Sequence, residues 1–122
     1  MSKQQNVLDG TSKAWCCWNG TGTAAIRDSF NLSSITDHGT GEFSQNFTSN
    51  YNNTNYVISG AHAAASPVAT YVYHVQPTQE SGITASSARV YNVYSGRSYF
   101  GNASSGNGDY PYCAFHSHGD LA

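Results

Sequence analysis

AWCCWNGTGTAAIRDSFNLSSITDHGTGEFSQNFT, running from Ala14 to Thr48, consists of short apolar stretches cut by Asn-Gly, Thr-Gly and His-Gly breaks. That punctuation fits β-strands joined by tight turns and fits helices poorly, because glycine and asparagine supply the backbone angles that turns need. Ala14 to Trp18 reads as a first strand whose tryptophans, Trp15 and Trp18, a regular strand sends to opposite faces. After Asn19-Gly20 and Gly22, Ala24 to Phe30 reads as a second strand. Its Ala24, Ile26, Asp28 and Phe30 alternate with Ala25, Arg27 and Ser29, and Arg27 and Asp28 are expected at a solvent or intersubunit side. Asn31 to Gly41 predicts a short strand on Leu32 and Ile35 that ends in a turn at Asp37 to Gly41. Glu42 to Thr48 is the clearest strand, with Phe43, Gln45 and Phe47 on one face and Ser44, Asn46 and Thr48 on the other.

The same rhythm continues outward. Ser49 to Asn55 is read as a loop, and Tyr56 to His62 as extended chain with Tyr56, Ile58, Gly60 and His62 on one side. Beyond the break at Pro67, Ala69 to Gln76 and Ile83 to Tyr94 are the next strands, separated by a turn over Pro77 to Gly82. Ser95 to Asp109 is read as a glycine-rich loop around Tyr99 and Phe100. Tyr110 to His118 closes the chain as a strand with Cys113, Phe115 and Ser117 opposite Tyr112, Ala114, His116 and His118. Seven or so strands, with no amphipathic helix and no repeat, predict an all-β fold, an antiparallel β-sandwich of jelly-roll or lectin-like kind. Aromatic residues on both faces of several strands predict that one face packs in the core while the other meets a partner subunit.

The chain has 122 residues, enough for one core, so residues 14–122 are expected as one sandwich domain preceded by a polar N-terminal arm over residues 1–13. Charged residues make up only 10% of the chain, beside 12 Gly and 9 Tyr, a composition of rigid β structure rather than of a helical bundle. A net charge of -2 and five scattered basic residues argue against binding nucleic acid through its phosphates. No run approaches the ~20 apolar residues that span a bilayer, so no membrane partner is expected. Met1 to Gly10 lacks the apolar segment of a secretory signal, and the chain is expected to be made in a cytoplasm and to stay soluble. Cys16, Cys17 and Cys113 are an odd number and are read as reduced, small buried hydrophobes, with a Cys113 bridge to one of the pair left open for oxidising conditions.

Motifs for catalysis are missing: there is no Gly-x-Ser-x-Gly elbow, no phosphate-binding Gly-x-x-x-x-Gly-Lys and no His-Glu-x-x-His. His74, Glu42 and Glu80 carry no spacing that requires an active site, so the chain is not expected to be an enzyme. The sharpest constellation is His116-Ser117-His118, which a strand places on one side about 6.7 Å apart. One such pair cannot close a metal shell, but three copies around a threefold axis would supply six nitrogens to a transition metal. A solvated polar tail is the plainer reading of the same residues. A zinc-like set of Cys113, the two histidines and Asp120 is disfavoured, since Cys113 faces away from the histidines. Exposed aromatic and amide side chains also suit sugars, which makes Tyr99, Phe100 and Tyr51 the candidate ligand-binding residues; the same types suit a subunit interface.

From Ala14 to Ala63 the sequence resembles a β-rich domain of tail-fibre and other virion structural proteins of marine and cyanobacterial tailed phages. The resemblance lies in the succession Gly20 to Thr23, Ile26 to Asn31, Ser33 to Asp37, Gly39 to Phe43, Asn46 to Thr48 and Asn55-Tyr56; the Cys16-Cys17 pair departs from it, and it covers the first half of the chain only. It implies a phage virion protein, a homotrimeric β-sandwich mounted among other virion proteins as capsid decoration, head fibre or tail component. The alternative it implies is a receptor-binding fibre tip that recognises a host surface glycan. His116 and His118 are similar to the His-x-His pairs at threefold axes of some phage fibre and spike tips.

Overall fold

Alternation of apolar and polar residues with period two lets each strand bury one face, and two such sheets bury theirs against each other. The computed structural model describes residues 11–63, 71–97 and 103–122, and over them the chain is all-β. Its strands are β1 (Ala14–Asn19), β2 (Ala25–Phe30), β3 (Leu32–Gly39), β4 (Glu42–Phe47), β5 (Val57–Ala63), β6 (Tyr71–Pro77), β7 (Ser87–Arg97), β8 (Ala103–Asn107) and β9 (Tyr112–His118). A single 3-10 turn, Glu80–Gly82, stands between β6 and β7. Two antiparallel sheets result, one in the order β2-β1-β9-β5 and one in the order β3-β4-β7-β6, with β8 continuing the line of β4 along β7.

The core is built from the inward rows of β1, β4, β7 and β9. Trp18 and Phe43 are wholly buried and meet edge to face with centroids 5.8 Å apart. Phe47 sits among Tyr51, Tyr56 and Phe115, at centroid distances of 5.1, 5.7 and 6.5 Å. Tyr56 donates its hydroxyl to the carbonyls of Thr84 (2.8 Å) and Ser87 (3.0 Å), which lets an aromatic ring enter the core without an orphaned polar end.

The inward rows expected for β4 and β9 are those observed, Phe43, Gln45 and Phe47 being buried, and so Cys113, Phe115 and Ser117; of the outward row of β4, Ser44 is buried as well, hydrogen-bonded to His38. Trp15 and Trp18 do take opposite faces, one part-exposed and one buried. In β2 the simple alternation breaks. Register with β1 shifts between Cys17 and Trp18, so that Trp18 pairs with Ile26 while Cys17 pairs with Asp28. Arg27 is the extra residue, and Ile26 turns inward while Asp28 and Phe30 turn out. The expected loop from Ser95 to Asp109 is also corrected, since β7 runs on to Arg97 and β8 pairs back along it. Of the expected arm, Ser12 and Lys13 are already bonded to the sheet, Ser12 Oγ and Lys13 N each donating to the carbonyl of Ser117. Residues 1–10 lie outside the described residues.

Two positive-φ residues make the corners. Asn31 (φ 58) carries the chain from one sheet to the other, its amide donating to the carbonyls of Lys13 and Ser49 while its side-chain oxygen accepts from Ser49 N. Gly41 (φ 67) ends the β3–β4 hairpin where β4 gives way to β8, donating its N–H to the Asp109 carboxylate and accepting from Asn92 N. A Cβ at Gly41 would lie 2.5 Å from Gly108 N, whereas one at Gly22, with nearly the same φ of 62, would meet open space. Gly41→Ala is therefore expected to cost about 2–4 kcal/mol in urea unfolding and Gly22→Ala only about 1 kcal/mol. Equal losses would show that the Gly41 contact with Gly108 has no energetic weight.

Candidate functional site

The two outer sheet faces differ in chemistry. On the β3-β4-β7-β6 sheet the outward residues of β3 and β4 are polar and mutually bonded, and Arg89 of β7 joins them: Asn46 Nδ2 donates to Ser34 and Thr36, His38 bonds Ser44, and the Arg89 guanidinium pairs with Glu42 at 2.7 Å. The outer face of β2-β1-β9-β5 is different. Phe30, Trp15, His116 and Ser59 form one continuous row across all four strands, by the pairings Phe30 with Trp15, Trp15 with His116, and His116 with Ser59. Below it, Cys17, Ala114 and Ala61 make a low, small-residue row, with Asp28 at its edge as the charged member. Four of the large apolar side chains that the chain exposes lie on this face: Val57 (68%), Phe30 (55%), Tyr112 (50%) and Trp15 (37%).

The histidines sit in the middle of that face. They project from β9 on the same side, as the strand spacing predicts, with ring centroids 5.1 Å apart and ring planes nearly perpendicular. His116 Nδ1 and His118 Nε2 are 3.1 Å apart and share a hydrogen bond, while His116 Nε2 lies 2.5 Å from Ser59 Oγ. Ser59, His116 and His118 thus form an unbroken hydrogen-bonded line over two strands. Sequence reasoning found the histidines but missed Ser59, because the pairing of β5 with β9 that brings it to His116 joins residues far apart in the chain. Among the described residues no three His, Cys, Asp or Glu side chains cluster as a metal-binding group.

The expected sugar-binding residues fare differently. Tyr51 is only 2% exposed, stacked on Tyr56 at 4.1 Å, with its hydroxyl hydrogen-bonded to Ser117 Oγ at 2.5 Å. Its ring faces are used in the core, so it offers no aromatic surface to a ligand; that expectation is corrected. Tyr99 and Phe100 lie outside the described residues. Beside the Tyr51 loop, a groove of about 310 Å³ opens between the start of β5 and the end of β6, with Ile58, Pro77 and Ile83 as its apolar lining and Thr54, Asn55 and Glu80 as its polar one. The three cysteines are free thiols, but Cys17 is only half-buried, at the outer face, rather than interior as expected. Burial first, and then neighbouring thiols, push Cys16 up to about 12, and burial pushes Cys113 up to about 11, so both are inert at neutral pH.

No family model, curated protein or solved structure matches this chain. Among the described residues no helix is long and apolar enough to cross a membrane.

Another histidine, His62, closes the seam between the sheets. It is 6% exposed, stacks on Tyr110 at 4.1 Å, meets Tyr73 edge to face, and donates from Nε2 to the Val93 carbonyl at 2.8 Å. Burial holds its pKa below the ordinary 6.5 against the opposing hydrogen bond to the Val93 carbonyl, while His74 acts in both directions, its ring charge lowering and its backbone raising the pKa. Below pH 6.5 the unfolded chain takes up a proton that folded His62 refuses. Its contribution to stability is therefore complete above that pH and falls as pH drops through 6.5 toward the folded pKa. Urea midpoints measured stepwise from neutral to about pH 5 should fall less steeply in His62→Gln than in the parent chain. An unchanged slope would remove His62 as the acid-sensitive group.

Proposed function

We propose that the chain is a structural protein of a bacteriophage virion, a small displayed β-sandwich of the tail-fibre kind that serves as capsid decoration, head fibre or tail component. It is made in the host cytoplasm and ends in the particle. The observation that carries this reading is the charge-poor outer face of the β2-β1-β9-β5 sheet, where Trp15, Phe30, Tyr112 and Val57 remain exposed beside a polar, internally bonded opposite face. Completing the burial of those four side chains is worth roughly 1 kcal/mol apiece toward association, before ordering costs. In this reading three copies of a lectin-like sandwich turn that face toward one another, and the remaining surface is displayed. The resemblance of Ala14 to Ala63 to phage virion domains points the same way.

A second reading, a fibre-tip module that recognises a host glycan, is favoured by the groove beside β5, where Thr54, Asn55 and Glu80 stand over an apolar lining of Ile58, Pro77 and Ile83. Quantitative mass spectrometry of purified particles of the encoding virus separates the readings. A stoichiometric component on the order of hundreds of copies is expected for capsid decoration, and a few dozen or fewer for a tail structure or receptor-binding tip. Absence from washed particles, with abundant protein left in the lysate, would contradict both.

A further inference from the structure

We infer that the core binds ordered water between the two sheets, on the side chains of Trp18, Gln45 and Asn92, as a fixed part of the fold. All three side chains are wholly buried. Trp18 Nε1 and Gln45 Nε2 are donors with no partner in the protein, and Gln45 Oε1 and Asn92 Oδ1 are acceptors with none. Keeping such atoms dry costs their hydration with nothing in return, and internal water is the usual partner of buried polar groups that the chain itself does not satisfy. Water suits this set because it both accepts and donates, so that one molecule between a donor and an acceptor satisfies one of each. His62 Nδ1 and Thr78 Oγ1 are also buried without a partner, but they lie at the seam and in the turn after β6, outside this group.

Phe43 ties the three together. Its ring meets that of Trp18, it precedes Gln45 by two on the inward row of β4, and it pairs with Val90, which precedes Asn92 by two on the inward row of β7. The protein neighbours cannot take the place of water. Across the sheet Gln45 stands between Ile35 and Ala88, and along its strand between Phe43 and Phe47, so these four neighbours offer its amide no polar side-chain atom. Trp18 stands between Ile26 and Cys113. Asn92 is held in one orientation: its Nδ2 donates to Cys113 Sγ at 3.2 Å, the Cys113 thiol donates to the Tyr110 carbonyl at 3.4 Å, and Oδ1 is left over. Ala14 and Cys16 on β1 and Ala88 on β7 are short members of the inward rows, so large side chains do not fill this region alone. Ile26 and Ile35, half-buried at the β2 and β3 edges, stand between it and solvent and mark the route by which the water exchanges. The site is independent of the assembly proposed above, since the atoms that bind the water are all interior.

Nuclear magnetic resonance of the isotope-labelled full chain tests this. Cross-relaxation from water to the Trp18 indole N–H and to the Gln45 amide protons is expected, of the sign that distinguishes a long-lived neighbour from proton exchange. Absence of that signal at either group, or a direct Gln45–Trp18 hydrogen bond in its place, would overturn the inference. Gln45→Met adds a second readout, because it roughly keeps the side-chain volume and removes the amide. Water-oxygen magnetic relaxation dispersion should then count at least one long-lived water fewer than in the parent chain, and an unchanged count would overturn the site. The signals of the parent chain decide the question whether or not the variant folds.

Discussion

What the chain buries and what it displays divide along β9, the strand held between β1 and β5. Its period-two alternation sends Phe115 to Phe47 and Ser117 to the Tyr51 hydroxyl, while the same backbone turns Tyr112, His116 and His118 outward. A slip of one residue would exchange the two sets, placing histidines in the core and phenylalanine in water. The contacts of Ser117 hold that register: its hydroxyl meets Tyr51, and its carbonyl accepts from Lys13 N and Ser12 Oγ. The loop before β5 is anchored by the Tyr51–Ser117 bond together with two backbone bonds, Tyr51 N donating to the Ala85 carbonyl and Asn52 N to that of Asp120.

The two sheets share one core but do not end in equivalent surfaces. On the β3-β4-β7-β6 sheet, polar side chains satisfy one another, so water loses little by leaving them as they are. On the other sheet, aromatic residues flank a low row of Cys17, Ala114 and Ala61, a relief that a second apolar surface can fill. The same face carries the Ser59–His116–His118 line, in one row with Trp15, so association through that face would cover the histidines as well.

Much of this was legible in the sequence where alternation is clean. Glu42 to Phe47 and Tyr112 to His118 declare their inner and outer rows without help from the rest of the chain. The failures have physical causes. Serine, glycine and asparagine over Ser95 to Asp109 mask strand pairing that depends on β7 being long enough to serve β4 and β8 in turn. The bulge at Arg27 is a register effect between two strands, invisible in either alone. Tyr51 looked like a loop aromatic because its neighbours are polar, and only the stacking on Tyr56 and the bond to Ser117 bring it inside. The histidine pair was found from i, i+2 spacing, whereas Ser59 enters only through the β5–β9 register.

In the proposed assembly, copies of the chain cover the Trp15–Phe30 face of one another. Sedimentation velocity of the full chain, run beside Trp15→Glu, reads this from the particle mass. A particle of three times the 13.1 kDa chain mass is expected, falling to a single chain when Trp15 is charged. A parent chain that stays at 13.1 kDa, or a trimer indifferent to Trp15→Glu, would contradict it.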